Sequence, residues 1–290
     1  MKKLPTKTMV LLLIAFLLFT LLPSLQARSA TIKTFVSILP QAYFVERVGG
    51  QFVGVEVLVG AGQSPATYEP TPKQMARLGR AQVYFRIGTP FEQGFITKLF
   101  ATFNDLKIVD TRNGVTLRYF GRSKGLQVPD PHIWLDRKRV KIQAGTVCTA
   151  LSLLDPVHTE DFGRNMRAFM ADLDKLDATI SDILSPLRGN KFYVFHPAFG
   201  YFGDSYGLKQ VAVEIEGKEP TAKQLSKLIE KAKADGVKVI FVQPQYAKRD
   251  AEAIAKAIGG AVVPMNPLPR NYLESMEDMA NILRKSILRQ

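Results

Sequence analysis

The sequence predicts an α/β protein of two lobes, each a parallel sheet flanked by helices, joined by one long rigid helix. Two observations predict this class. Short apolar, β-branched runs alternate with helical stretches in both halves of the chain, and one long amphipathic stripe lies between the halves. A chain of 290 residues is long enough for two such lobes. We expect the lobes at residues 31–155 and 190–290 and the linking helix at residues 156–189.

The first 27 residues are expected to form a cleavable signal peptide. Lysines up to Lys7 precede an apolar run from Met9 to Leu22. At about 14 residues this run is shorter than the roughly 20 needed to cross a bilayer. The only cysteine, Cys148, lies too far along the chain to carry a lipid just after the leader. These features predict a free periplasmic protein that is not a lipoprotein.

Eight apolar runs are predicted as strands. They are Phe35–Leu39, Val53–Val59, Val83–Ile87 and Leu106–Val109 in the first half, and Phe192–Phe195, Val211–Ile215, Val237–Val242 and Ala261–Met265 in the second. Because helical stretches separate consecutive runs, the strands within each half are expected to lie parallel.

The linking helix is predicted from an apolar stripe at steps of three and four residues. Its members are Phe162, Met166, Phe169, Leu173, Leu176, Ile180, Ile183 and Leu187. This spacing places them on one side of a helix, which predicts a single long element packed against both lobes. The alternative is an ordinary core helix of one domain.

A short internal repeat also favours two related lobes. The sequence Glu-Pro-Thr-Pro-Lys-Gln-Met at residues 69–75 reappears as Glu-Pro-Thr-Ala-Lys-Gln-Leu at residues 219–225. In both copies a threonine stands three residues before a glutamine, the pattern of a capping box at a helix start. The repeat therefore predicts a helix that begins near the same point in each lobe.

Composition excludes several classes of function. The net charge is +13, but the basic residues are scattered and export is predicted, so we expect no nucleic-acid partner. A lone cysteine excludes an intramolecular disulfide and a cysteine-rich metal cluster. No His-Glu-x-x-His motif is present, and we expect the protein not to be an enzyme.

Four short motifs carry a family resemblance. In order they are Ser-Pro-Ala-Thr-Tyr-Glu-Pro-Thr-Pro at 64–72, Asp-Pro-His-Ile-Trp-Leu-Asp at 130–136, Val-Phe-His-Pro-Ala-Phe-Gly-Tyr-Phe at 194–202 and Asn-Pro-Leu at 266–268. The chain resembles the periplasmic zinc- and manganese-binding proteins of ABC importers. The resemblance extends over about residues 33–285.

The resemblance implies a metal site with two of its four ligand positions altered. His132 and His196 match two histidine ligands of the family, and imidazole nitrogen is a good ligand for zinc. Ala66 stands where a third histidine is usual and cannot ligate a metal. Asn266 stands where an aspartate is usual and offers only a neutral carbonyl oxygen.

Weaker candidates for the vacant positions are Asn266, Glu69, Gln243 and Glu216. Water is another candidate. Glu69 has an equally good interpretation as a helix-entry residue, and Glu216 is suggested only by the internal repeat. The sequence does not distinguish natural divergence at positions 66 and 266 from deliberate substitution.

The resemblance implies a substrate-binding protein that works as a monomer and delivers a divalent transition metal to an ABC permease. Zn²⁺ is the first expectation for the transported ion and Mn²⁺ the second. The alternative is a carrier of the same fold that takes a metal chelate or a small organic ligand and no longer binds free metal. Aromatic residues near the motifs, including Tyr68 and Trp134, are compatible with such a pocket or with core packing.

Overall fold

Two four-stranded parallel sheets position the candidate site, one in each half of the chain. The structure is a computed structural model that describes residues 31–123, 126–214, 221–246 and 249–288. The predicted signal peptide, residues 1–27, lies outside the described residues. The strands are β1 (Ile32–Ile38), β2 (Val53–Val59), β3 (Val83–Arg86), β4 (Lys107–Asp110), β5 (Tyr119–Ser123), β6 (Leu126–Pro129), β7 (Lys191–Val194), β8 (Lys209–Ala212), β9 (Val239–Val242) and β10 (Ala261–Pro264).

The helices of the described ranges pack on the faces of these sheets and between them. They are α1 (Leu39–Gly49), α2 (Pro72–Leu78), α3 (Glu92–Thr102), α4 (Arg137–Leu154), α5 (Thr159–Leu184), α6 (Gly200–Tyr206), α7 (Ala222–Ala234), α8 (Arg249–Ala257) and α9 (Tyr272–Ile287). Within those ranges no helix is long and apolar enough to span a membrane.

The two sheets share one strand order. The first runs β2-β1-β3-β4, and the second, read from its β8 edge, runs β8-β7-β9-β10. In each sheet the first strand of the lobe therefore lies between the second and the third. All neighbouring pairs are parallel, for example Phe35 with Glu56 and Tyr84. This arrangement confirms the predicted fold class and is the topology expected if one lobe duplicates the other.

Both predicted capping boxes are present. The Thr71 hydroxyl accepts from the Gln74 amide at 3.3 Å, and the Gln74 side chain accepts from the Thr71 amide at 3.0 Å. In the second lobe the equivalent distances between Thr221 and Gln224 are 3.4 and 2.8 Å. Each box satisfies two backbone N–H groups that a helix start leaves without partners. The repeat was thus a correct signal for where α2 and α7 begin.

The apolar stripe between the halves forms α5, which has 26 residues. At 1.5 Å per residue it is about 39 Å long. Phe162, Phe169, Leu173 and Ile180 are fully buried, and the helix packs against α1, α4 and α9. The last residue of the stripe, Leu187, lies in a short 3-10 turn that follows the helix.

Two details differ from prediction. An antiparallel hairpin, β5 with β6, precedes His132. It was not predicted because its strands have only five and four residues, too few for a clear periodic pattern. Strand β8 ends at Ala212, earlier than the predicted Ile215, which lies outside the described residues. The chain from Thr31 onward forms one compact unit, so the predicted lobe boundaries at residues 155 and 190 stay a prediction.

Candidate metal site

A cavity of about 690 Å³ lies where loops from both sheets meet. The loops that line it follow the carboxyl ends of β2, β3 and β4 in the first sheet and of β7 to β10 in the second. Binding crevices of parallel α/β sheets generally lie at this end of the strands. His132 and His196, the two predicted ligands, both line this cavity.

His132 is held in place by Asp130. The Nδ1 atom of His132 lies 2.7 Å from Asp130 Oδ1, which also accepts the His132 backbone N–H at 3.0 Å. Both residues are buried, Asp130 completely. Burial lowers the pKa of the His132 imidazole below its usual value, although the Asp130 carboxylate opposes this shift. The neutral imidazole, the form that binds metals, is therefore favoured.

His196 follows β7 and is held by three side chains. Its Nδ1 atom is hydrogen-bonded to Glu214, and the ring of Tyr246 stacks on its imidazole at 4.8 Å and 19°. Gln243 binds the His196 backbone on both sides, because its Oε1 accepts the amide at 3.1 Å and its Nε2 donates to the carbonyl at 2.7 Å. These contacts define the position and direction of the imidazole.

The two imidazoles converge at their other nitrogens. The distance from His132 Nε2 to His196 Nε2 is 3.3 Å. An ionised carboxylate only accepts hydrogen bonds, so each Nδ1 atom carries the proton that it shares with Asp130 or Glu214. In two neutral rings, both Nε2 atoms then present lone pairs to the same small volume. Two nitrogens at this distance are satisfied either by a proton shared between them or by a cation that both bind.

The two altered ligand positions, Ala66 and Asn266, provide no evident further metal ligand beside the two histidine nitrogens. Ala66 lines the cavity but brings no donor atom. Asn266 is exposed, and its Oδ1 already accepts from Gln245 Nε2 at 3.1 Å and from the Leu268 amide at 3.0 Å. Glu69 is exposed and is not among the residues that line the cavity. Glu216 lies outside the described residues.

Gln243 acts on the backbone of His196 and does not point a free oxygen into the cavity. Across the described ranges, no group of three or more histidine, cysteine, aspartate or glutamate side chains lies close enough to hold a metal ion. Among the candidate ligands that the sequence offered, the described residues bring the imidazoles of His132 and His196 to the cavity.

Sequence reasoning missed the residues that orient the ligands. Asp130 was detectable, because an acid two residues before a candidate ligand can hydrogen-bond to its ring. Glu214 and Tyr246 carried no comparable signal, since only the fold brings them to His196 from β8 and β9. Of the two aromatic residues named from the sequence, Trp134 lines the cavity, whereas Tyr68 does not line it and packs against Phe91.

Comparison with known proteins gives a consistent family assignment. A family model described as zinc-uptake complex component A periplasmic matches residues 35–286. The solved structure of ZnuA superposes with a TM-score of 0.84 at 38% identity, covering 88% of this chain and 99% of that one.

Two curated relatives are more distant in sequence. The zinc-binding lipoprotein AdcA of Streptococcus pneumoniae is 27% identical over 271 residues, which is 85% of this chain. This chain spans about half the length of AdcA, 54%. The iron ABC transporter substrate-binding lipoprotein MtsA of Streptococcus pyogenes is 28% identical over 243 residues, covering 80% of this chain and 78% of MtsA.

These relatives overturn the predicted localisation. A free periplasmic protein that is not a lipoprotein was predicted, but AdcA and MtsA are both named lipoproteins. The prediction was wrong because it took the position of Cys148, far from the leader, as sufficient evidence against a lipid anchor.

Proposed function

The chain belongs to the zinc-uptake complex component A family, and from that membership we propose that it binds Zn²⁺ between His132 and His196 and delivers the ion to an ABC permease. The family description and the name of AdcA both refer to zinc. The name of MtsA refers to iron and to an ABC transporter. Family members are substrate-binding transport proteins, so the chemistry required of this chain is selective capture and release of an ion.

One observation carries the proposal: two imidazole lone pairs converge at 3.3 Å, and each ring is oriented by a buried carboxylate. Zinc–nitrogen bonds are about 2.0–2.1 Å long, and the tetrahedral angle then separates two ligand nitrogens by roughly 3.3–3.4 Å. The pair thus already has the spacing of two neighbouring ligands on one tetrahedral ion.

The donor type favours zinc over manganese. Imidazole nitrogen suits Zn²⁺, whereas Mn²⁺ prefers carboxylate, carbonyl and water oxygens. Asp130 and Glu214 are engaged with the Nδ1 atoms of the histidines. They act as outer partners that raise the basicity of the rings and set their tautomers. We therefore place Zn²⁺ first and Mn²⁺ second as the transported ion.

The remaining coordination positions are expected to be filled by water or by Glu216, which lies outside the described residues. Ala66 has no donor, and the Asn266 oxygen already accepts two hydrogen bonds. Loss of even an outer-shell partner typically costs 10–100-fold in affinity. We expect the free ion to bind at least about a hundredfold more weakly than it would to a site with four protein ligands.

Isothermal titration of the metal-stripped protein tests the proposal. Zinc should bind with a stoichiometry of one, and the variant His132→Ala/His196→Ala should lose this binding. His158→Gln is the matched control, because the third histidine stacks on Phe52 and hydrogen-bonds to Asp155 away from the cavity. Zinc binding that survives in the double variant would refute the assignment of these ligands.

We also propose that the protein works as a monomer, binds no nucleic acid and catalyses no reaction. Membership in a family of substrate-binding transport proteins supports these statements. Light scattering during size-exclusion chromatography should give the mass of one chain. A dimer at micromolar concentration would contradict the first statement, and hydrolysis of ester or peptide substrates would contradict the last.

A further inference from the structure

The Asp130 carboxylate is buried behind His132, and one of its two oxygens makes no hydrogen bond. Its Oδ1 atom accepts both the backbone N–H and the Nδ1–H of His132. Its Oδ2 atom is buried and has no hydrogen-bond partner within the described part of the chain. A buried carboxylate costs free energy unless a donor or an opposite charge compensates it. A group that compensates Oδ2 therefore also steadies the carboxylate that holds His132.

Arg118 brings a positive charge to this oxygen. Its Nη1 atom lies 3.7 Å from Asp130 Oδ2, which is within the range of an ion pair and beyond that of a direct hydrogen bond. The two residues flank the hairpin of β5 and β6 and face each other across it, because the Asp130 amide donates to the Arg118 carbonyl at 2.8 Å. The hairpin that was not predicted from the sequence thus places a guanidinium behind the carboxylate that holds His132.

The helix that follows His196 in the chain, α6, holds Arg118 in this position. Asp204 of α6 accepts a hydrogen bond from Arg118 Nε at 2.9 Å. The Tyr201 hydroxyl of the same helix accepts the Arg118 backbone N–H at 2.7 Å and donates to the Asp130 carbonyl at 3.0 Å. Arg118 therefore connects the residue that orients one histidine with the helix that follows the other.

Gly200, the first residue of α6, leaves room for the guanidinium. A Cβ atom at position 200 would lie 2.7 Å from both Cζ and Nη1 of Arg118, closer than van der Waals contact allows. Nη1 is the atom that faces Asp130. Gly200 is not among the glycines with positive φ, so its backbone also suits alanine. A methyl group at this position should therefore displace the guanidinium from Asp130 while the helix is retained.

We propose, resting on the zinc site proposed above, that Arg118 is a positioning residue for that site. Its ion pair with Asp130 fixes the rotation of the carboxylate, and the carboxylate fixes the direction of the His132 imidazole. Arg118 does not touch the ion and acts only through these two residues. Ligands that are held in the binding geometry before the metal arrives bind it more tightly, because less ordering is needed on binding. The guanidinium therefore contributes to zinc affinity from outside the cavity.

Proton NMR of the metal-free protein tests the positioning role without zinc. The Nδ1 proton of His132, shared with buried Asp130, should give a separate downfield resonance that is identified by its loss in His132→Ala. Arg118→Gln should shift or broaden this resonance, because the carboxylate is then free to rotate. The Nδ1 proton of His196, shared with Glu214, is the internal reference and should keep its resonance.

Zinc affinity is the second measurement. Arg118→Gln should raise the zinc dissociation constant about tenfold, the lower end of the cost of losing an outer partner. Arg118→Lys keeps the charge and should bind zinc more tightly than Arg118→Gln. Gly200→Ala keeps every charge but displaces the guanidinium, and it should weaken zinc binding as well. Arg47→Gln is the matched control, because it breaks a partly buried ion pair with Asp172 away from the cavity and should leave zinc affinity unchanged.

The outcomes separate this proposal from the zinc site itself. An unchanged His132 resonance in Arg118→Gln would overturn the positioning role, whether or not the protein binds zinc. Equal changes at His132 and His196 would also overturn it, since they would reflect a general loosening of the fold. A change confined to His132 in a protein that binds no zinc would support the role of Arg118 and refute the zinc site. Zinc binding by Arg118→Gln that is as tight as in the wild type would overturn the contribution of Arg118 to affinity.

Discussion

Replacing Glu214 by glutamine removes the charge behind His196 and keeps the shape of the side chain. Glu214 is hydrogen-bonded to His196 Nδ1, and its side chain is 7% exposed, so water screens this contact little. A hydrogen bond to a charged group is worth about 1.5–3 kcal/mol and a neutral one about 0.5–1.5 kcal/mol. The difference, about 1–1.5 kcal/mol, corresponds to roughly a tenfold change in an equilibrium constant.

The glutamine amide at position 214 also weakens zinc binding by changing the tautomer of His196. Its NH₂ group can donate to Nδ1, which shifts the ring proton to Nε2 and removes the lone pair that binds zinc. We therefore expect Glu214→Gln to raise the zinc dissociation constant ten- to hundredfold. Competition titration with a zinc-sensitive dye measures this directly. Glu230→Gln, an exposed change on α7, is the control and should leave affinity unchanged. Affinity within twofold of wild type for Glu214→Gln would refute the orienting role of this carboxylate.

Two further predictions concern stability. The substitution Gln243→Leu leaves the backbone amide and carbonyl of His196 without their side-chain partners. The free energy of unfolding, measured in urea, should therefore fall by about 2 kcal/mol or more. A decrease below about 0.5 kcal/mol would contradict the importance of these two hydrogen bonds. Because burial lowers the pKa of His132, the unfolded chain binds its proton first as the pH falls. The metal-free protein should therefore lose stability as the pH falls from 6.5, the usual pKa of a histidine, towards the lower pKa of His132 in the folded protein. This loss should be steeper than in the variant His132→Ala, and an equal dependence of stability on pH in both proteins would contradict the prediction.

The fold was largely predictable because its signals are local. The apolar stripe of α5 repeats at helical spacing, and the capping boxes at Thr71 and Thr221 involve residues only three positions apart. Local patterns of this kind are set by backbone geometry and need no tertiary information. The hairpin of β5 and β6 was not predicted because strands of five and four residues are too short to show a clear periodic pattern.

The sequence by itself determined the order of elements, the family resemblance and the two histidines of the candidate site. Tertiary structure alone decided that the Nε2 atoms of His132 and His196 meet at 3.3 Å, and that Glu214 orients His196. It also decided that the Asn266 side-chain oxygen accepts a hydrogen bond from Gln245. The reason is physical: these contacts join residues far apart in the chain, in loops at strand ends that meet only when both halves of the chain have folded together.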